Sequence, residues 1–313
     1  MALLSIVVPC YNEEATVELF YARASAVCGA LPELEVEYLF VDDGSADGTL
    51  GILRGLAKEK PGVRWLSLSR NFGKEAAMYA GLEHARGDYV AVMDLQDPPE
   101  LLPGLLEAVR TGGYDCAAVR RVNRKGEPPI RSWFARQFYK LINKVSRTEI
   151  VDGARDFRLM TRQMVEAILR VGEYNRFSKG IFSWVGFRVK WVETENAERS
   201  GGESKWSFFK LLVYALDGII AFSTAPLAIA SVLGLILCVV SFLAIVFVIV
   251  RQLVWGGSAF GWPSLVCIIL FLAGIQLFCI GILGQYLAKT YLEVKKRPIY
   301  ILREQGGSLD EKP

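Results

Sequence analysis

Three short blocks hold most of the residues that could do chemistry. Pro9-Cys10-Tyr11-Asn12-Glu13-Glu14 follows an apolar run at residues 3–8. Asp42-Asp43-Gly44-Ser45-Ala46-Asp47-Gly48-Thr49 follows a second run at 38–41. Asp94-Leu95-Gln96-Asp97-Pro98-Pro99-Glu100 follows a further run at 89–93. Each block alone has a structural explanation: Asp-Gly-Ser is turn chemistry, and an Asp at a strand end caps the next helix. Carboxylates gathered from three strand ends, however, repel one another unless a cation or a donor-rich ligand sits among them. Hard oxygen ligands of this kind beside a phosphate suit Mg²⁺ or Mn²⁺. The single histidine, His84, rules out a Ser-His-Asp hydrolase or a His-rich metal site and reads as a surface or packing residue.

The elements that would position these blocks follow from the hydrophobic pattern. Apolar, β-rich runs at 3–8, 38–41, 63–68, 89–93 and 114–119 alternate with helical patterns at 14–30, 49–58, 75–85 and 99–111. Such alternation, with strands apolar almost throughout, predicts an α/β fold: a mostly parallel sheet with helices on both faces. Ligands of such sheets bind beyond the carboxyl ends of the strands, where the three blocks fall.

The chain has 313 residues, a net charge of +3, 52% hydrophobic and 22% charged residues, and a mean hydropathy of +0.29. That balance excludes a disordered chain, a general nucleic-acid binder and a wholly soluble enzyme. The excess hydrophobicity is local. Residues 218–250 and 252–288 carry no charge, and about 20 apolar residues suffice for a transmembrane helix. Spans at about 226–250 and 263–288, joined by a short Gly- and Trp-containing link, form a hairpin. Lys205 and Lys210 precede it and Lys289, Lys295, Lys296 and Arg297 follow, against Arg251 in the link. The positive-inside rule therefore puts both termini and the large domain in the cytoplasm. The expected division is a catalytic domain at 1–205, an interfacial amphipathic helix at 206–222, the two spans within 223–288, and a cytoplasmic basic tail at 289–313. The six cysteines form no metal-type or redox pair and fit reduced, buried thiols.

Two cationic segments bear on phosphate binding. Arg120, Arg121, Arg124, Lys125, Arg131, Arg136, Lys140, Lys144 and Arg147 are interleaved with Trp133, Phe134, Phe138 and Tyr139. This is either a solvated helix near anionic lipid heads, worth about 1 kcal/mol per basic residue, or a site for two phosphate groups. Arg199 and Lys205 bracket Gly201 and Gly202: either a flexible linker, or a loop offering a planar fork and a point charge to phosphate oxygens.

The blocks Ile6-Val-Val-Pro-Cys-Tyr-Asn-Glu13, Val41-Asp-Asp-Gly-Ser-Ala-Asp-Gly-Thr49 and Asp94-Leu-Gln-Asp-Pro-Pro99 resemble those of family 2 inverting glycosyltransferases with a GT-A fold, a Rossmann-like arrangement. Arg199-Ser-Gly-Gly-Glu-Ser-Lys205 and the C-terminal hairpin resemble the polyprenyl-phosphate branch, the bactoprenol glucosyltransferases related to dolichol-phosphate mannose synthase. The resemblance implies transfer of one hexose from a nucleotide sugar, UDP-glucose being the commonest donor, to undecaprenyl or another polyprenyl phosphate, for a cell-envelope glycan. It implies a multi-pass inner-membrane protein that assembles as a homo-oligomer, tetrameric in relatives.

By the same resemblance Pro9, Tyr11 and Glu13 cradle the base and ribose, Asp43 contacts the base, Val41 lines that pocket, and Arg120 lies near the nucleotide. Asp94 and Gln96 hold the metal and diphosphate. The family's Asp-x-Asp-x-Gln block has one acid fewer here, so Asp97 or a water replaces the missing ligand, or metal binding weakens. Arg136, with Arg131 as the alternative, meets the lipid phosphate together with Arg199 and Lys205. Asp156 is either an acceptor-side base or orienting group, or a structural partner of Arg155 or Arg158. Two other readings stay open. One is a processive polysaccharide synthase, although its Gln-x-x-Arg-Trp block is missing. The other is a membrane scaffold of the same fold with impaired catalysis.

Overall fold

Strand β1 (Ala2–Cys10) is apolar at nearly every position because both of its faces are covered. Leu4, Ile6 and Val8 join one core with Phe20 and Ala24 of α1 (Val17–Cys28), Leu53 of α2 (Thr49–Glu59), and Leu102, Leu105 and Leu106 of α4 (Leu102–Arg110). On the opposite face Val7 meets α3 (Lys74–His84), where Gly81 comes so close that an added Cβ would sit 2.2 Å from Val7 Cγ1. The structure is a computed structural model and describes residues 1–122, 143, 151–194, 220, 223–255 and 261–307.

The remaining strands are β2 (Leu34–Asp42), β3 (Val63–Leu68), β4 (Tyr89–Val92), β5 (Cys116–Arg121), β6 (Ala154–Thr161), β7 (Val189–Thr194) and β8 (Leu302–Gly306). They form one sheet in the order β7-β5-β6-β4-β1-β2-β3-β8. The central strands β4, β1, β2 and β3 run parallel, as do β5 and β7. Strand β6 is antiparallel to both neighbours, and β8 is antiparallel to β3. Helices α5 (Arg162–Arg170) and α6 (Ser178–Trp184) follow β6. Since β2 and β4 flank β1 on opposite sides, the sheet switches direction beside β1, and a crevice opens at the carboxyl ends there.

At the other end of the sheet a buried polar knot fixes the register. Glu37, fully buried on β2, lies opposite Ser5 on β1. It accepts hydrogen bonds from the Ser5 hydroxyl, the Arg64 guanidinium and the Arg86 amide. Ser5 Oγ in turn accepts from the Gly87 amide at 2.8 Å. Gly87 is required because a Cβ there would lie 2.6 Å from the Ser5 nitrogen. The chain entering β4 is thereby clamped against β1.

The segment expected to be a basic tail instead adds a strand. Residues 302–306 alternate exposed and half-buried positions and cover the β3 edge. Arg54 pairs with Glu304, the Ser69 amide donates to the Ile301 carbonyl, and the Tyr300 hydroxyl donates to Glu83 beside His84. A polar strand suits a sheet edge, where charge discourages further pairing. Hydrophobic patterning could not reveal it.

The chain divides into two units, the first holding this sheet with the tail from Lys296, the second holding α7 (Ala225–Trp255) and α8 (Trp262–Val294). Within them Ala225–Arg251 and Phe271–Val294 are long and apolar enough to cross a membrane. Their large side chains, such as Phe242, Phe247 and Leu277, are exposed. The Tyr286 hydroxyl donates to the Ser223 carbonyl at 2.5 Å, tying the start of one helix to the other. The expected interfacial helix at 206–222 lies outside the described residues, apart from Ile220. Cys10, Cys28 and Cys116 are buried free thiols.

Glu37→Ala strands the Arg64 charge and several donors, and should cost about 3–5 kcal/mol of stability. Denaturant unfolding of the detergent-solubilised protein checks this; a loss under about 1 kcal/mol contradicts the clamp.

Candidate active site

The β1 and β2 loops are laced together by polar contacts. The Asn12 amide donates to Ser45 Oγ (3.0 Å), and Asn12 Oδ1 accepts from the Ala46 amide (2.9 Å). The Glu13 amide donates to Thr49 Oγ1 (2.9 Å), and Glu14 accepts from the Gly48 amide (2.7 Å). Asp42, buried, holds the second loop by accepting from the Ser45 amide and the Ser67 hydroxyl. Gly44 has φ +67°, and its Cβ would lie 2.5 Å from the Arg70 carbonyl carbon, so this loop can only rest on the next one through glycine.

Asp43, 3% exposed, accepts from the Phe72 and Gly73 amides at 2.7 and 2.9 Å, just before α3. Burial raises its carboxyl above the ordinary value against the pull of those amides. Asp43 therefore positions the segment Asn71-Phe72-Gly73-Lys74 and presents it to the crevice.

Asp94 stands at the end of β4, and its side chain is partly exposed. The antiparallel register Val92↔Arg158, continued two residues, brings Asp156 opposite it. Lys74 Nζ lies between the two carboxylates, 2.8 Å from Asp94 Oδ2 and 2.6 Å from Asp156 Oδ2. Burial alone would raise Asp156; Lys74 and Lys179 overcome it and hold the carboxyl below its usual range. Next to Lys74, Glu75 accepts from the Ser178 amide and hydroxyl, tying α3 to α6. Arg158, fully buried, donates to the Arg155 and Asp156 carbonyls and stacks 3.6 Å over the Phe182 ring.

These elements enclose a cleft of about 320 Å³. Pro9, Tyr11, Glu13, Asp43, Asp94 and Gln96, all expected from the sequence, line it, and Asn71, Gly73, Lys74 and Ala77 complete it. Asp156 joins through Lys74. Burial, with nearby Asp42, Glu13 and Asp94, pushes the Cys10 thiol well up, so it stays a neutral wall rather than a nucleophile.

Three of the expected residues are not among those lining the cleft. Val41 is fully buried and does not line the cleft; it packs under α3, 3.2 Å from where a Gly81 Cβ would be. Arg120 lies near the end of β5, two strands out from β4, which sets the two backbones about 10 Å apart, and pairs with Glu193 of β7. Asp97 is 4% exposed, with both oxygens engaged: one accepts the Asp94 amide (2.9 Å), the other the Arg155 guanidinium (2.9 Å). It braces the Asp94 loop, and each of its oxygens already accepts one hydrogen bond. Burial and the neighbouring Asp94 push its carboxyl up to about 6. Arg131, Arg136, Arg199 and Lys205 lie outside the described residues. Lys74 was missed because it opens a helix after β3, whose end carries no acid. The Gly-Lys pair at a strand-to-helix turn was the available signal.

A family model for glycosyl transferase family 2 matches residues 5–169. The chain belongs to glycosyl transferase family 2. It is 43% identical over 302 residues to the prophage bactoprenol glucosyl transferase homolog of Escherichia coli (strain K12), covering 96% of this chain and 98% of that protein. It is 44% identical over 304 residues to the bactoprenol glucosyl transferase of Shigella phage SfV, covering 96% and 98%. Among solved structures, the mannosyltransferase PcManGT from Pyrobaculum calidifontis, in complex with GDP-Man and Mn²⁺, is 17% identical. It covers 91% of this chain and 86% of that one, with a TM-score of 0.42, too loose a likeness for comparing sites.

Asp97→Ala leaves the Asp94 amide and Arg155 without their acceptor and should cost about 1–3 kcal/mol. Asp97→Asn, which keeps an acceptor for the amide, should cost less. Thermal unfolding of the two variants checks the order; equal stability of all three proteins contradicts the bracing role.

Proposed function

We propose that this family 2 glycosyltransferase moves one hexose, glucose from UDP-glucose, onto a polyprenyl phosphate such as undecaprenyl phosphate, inverting the anomeric centre. The observation that carries this reading is the cleft at the switch point. Tyr11 and Glu13 stand on its β1–β2 side, and Asp94, Lys74 and Asp156 on its β4–β6 side. The sugar and acceptor classes are supported by the near-full-length relatives named bactoprenol glucosyl transferase.

In the proposed reaction Pro9, Tyr11 and Glu13 frame the base and ribose, and the acceptor phosphate oxygen attacks the anomeric carbon. The carbon–oxygen bond to the diphosphate breaks on the opposite side, and the nucleoside diphosphate departs. A phosphate monoester, with a second pKa near 6, is already mostly dianionic at pH 7, so no strong base is needed. An ionised Asp156 then serves to orient. Arg131 or Arg136, with Arg199 and Lys205, remains the proposed grip on the lipid phosphate.

The donor set suits a cation that arrives with its ligand. Asp94 and Gln96 offer accessible hard oxygens, while among the described residues no three acids, histidines or cysteines converge to hold an ion unaided. Mg²⁺ binds in this style, through one or two carboxylates plus substrate phosphates. Bound there, Mg²⁺ or Mn²⁺ would neutralise charge developing on the leaving diphosphate.

The two apolar helices, on this reading, form a transmembrane hairpin with the catalytic domain and both termini cytoplasmic. The return of β8 to the β3 edge supports it, because the segments before and after the helices enter one folded unit. Gly234, Gly274, Gly281 and Gly284 face open space, which would let helices of neighbouring copies approach closely in a homo-oligomer.

The test is transfer of radiolabel from a panel of UDP- and GDP-sugars to undecaprenyl phosphate, with Mn²⁺, Mg²⁺ or EDTA. UDP-glucose should label the lipid phase. EDTA or Asp94→Ala should lower the rate by about 10²-fold or more. Nucleotide binding with no transfer from any donor contradicts the reading and favours a scaffold.

A further inference from the structure

Charge balance in the cleft singles out Lys74. Glu13, Asp43 and Asp94 line it as acids, and Lys74 is the one basic residue among the described lining residues. The ammonium is committed to Asp94 and Asp156 at once, yet the side chain remains 42% exposed and within reach of a ligand. Its place is not explained by helix stability. Lysine in the first turn opposes the helix dipole, and α3 gains its packing from Ala76, Ala77, Met78 and Ala80 instead. Asp43 fixes the backbone on which Lys74 stands through the Phe72 and Gly73 amides. Glu75, the next residue, is fastened to Ser178. Position is thus imposed at the base of the side chain, while its tip reaches the cleft.

We propose that Lys74 is the diphosphate-binding cation of the cleft. Without ligand it cross-links the donor-side Asp94 to Asp156. A nucleoside diphosphate draws its ammonium away, which opens Asp94 to a divalent cation. The chemistry follows from the groups present. A diphosphate offers several anionic oxygens to a compact ammonium on a flexible stem, whereas a bare acid cleft would repel it. The same lysine competes with a divalent cation for Asp94, so its two effects have opposite signs. This inference rests on the nucleotide-sugar reading above.

The experiment uses full-length protein in detergent, wild type, Lys74→Met, Lys74→Gln and Lys74→Arg. Calorimetry measures UDP and UMP binding in EDTA, and electron paramagnetic resonance measures binding of Mn²⁺ alone. The uncharged variants should lose about tenfold in UDP affinity, change little toward UMP, and bind Mn²⁺ more tightly than wild type. Lys74→Arg should keep most of the UDP affinity. Unchanged UDP binding in Lys74→Met and Lys74→Gln would overturn the proposal. So would parallel loss of UDP, UMP and Mn²⁺ binding, which marks a packing defect. Wild type that binds neither UDP nor GDP defeats the nucleotide-sugar reading itself, and this inference with it.

Discussion

Acidic side chains from four strand ends share one rim, and everything around the cleft depends on how their mutual repulsion is met. Asp42 and Asp43 are neutralised locally by backbone amides and hydroxyls, and in accepting them they shape the loops. Asp97 spends its charge on Arg155 and the Asp94 amide. Asp94 and Asp156 share the Lys74 ammonium, and Lys179 adds its charge near Asp156. The acids that fold the site are tied to backbone amides, hydroxyls and Arg155, whereas the pair Asp94 and Asp156 is bridged by the Lys74 ammonium. That division separates scaffold from chemistry more sharply than burial alone.

The opposite end of the sheet shows what the same interactions do when they serve the fold only. Glu37, Ser5 and Arg64 are sealed from solvent, and their hydrogen bonds clamp the chain entering β4. The clamp sets where β4 ends, and so where Asp94 stands. Breaking a buried pair of this kind leaves an uncompensated charge, so its effect would be loss of the folded state rather than loss of one function. Close packing of α3 through Gly81 works in the same direction, since it fixes the height of Lys74 above the strand ends.

Much of this was legible in the sequence. The parallel strands announced themselves as apolar runs, and the three acidic blocks fell at their carboxyl ends because topology puts ligands there. What hydrophobic patterning could not give was long-range and polar. Strand β8 pairs with a segment more than 230 residues earlier and is mostly polar, and β6 interrupts its apolar pattern with Arg155, Asp156 and Arg158. Val41 and Arg120 were placed by family resemblance at positions the fold assigns to core and to an outer strand. That Asp97 braces the Asp94 loop was equally hidden, because sequence cannot say which donors a carboxylate meets. Lys74 was invisible for the converse reason: a lysine at a helix start has no pattern until Asp94 and Asp156 stand beside it.

The central claim is that donor and acceptor meet across this cleft, from opposite faces of one anomeric carbon, in a single displacement. The anomeric configuration of the lipid-linked product tests it most directly, read by proton NMR from the coupling constant of the sugar after incubation with an α-linked UDP-sugar. A β-linked product is the predicted result. An α-linked product would mean that the configuration was retained, which one in-line displacement cannot do, and would contradict the account.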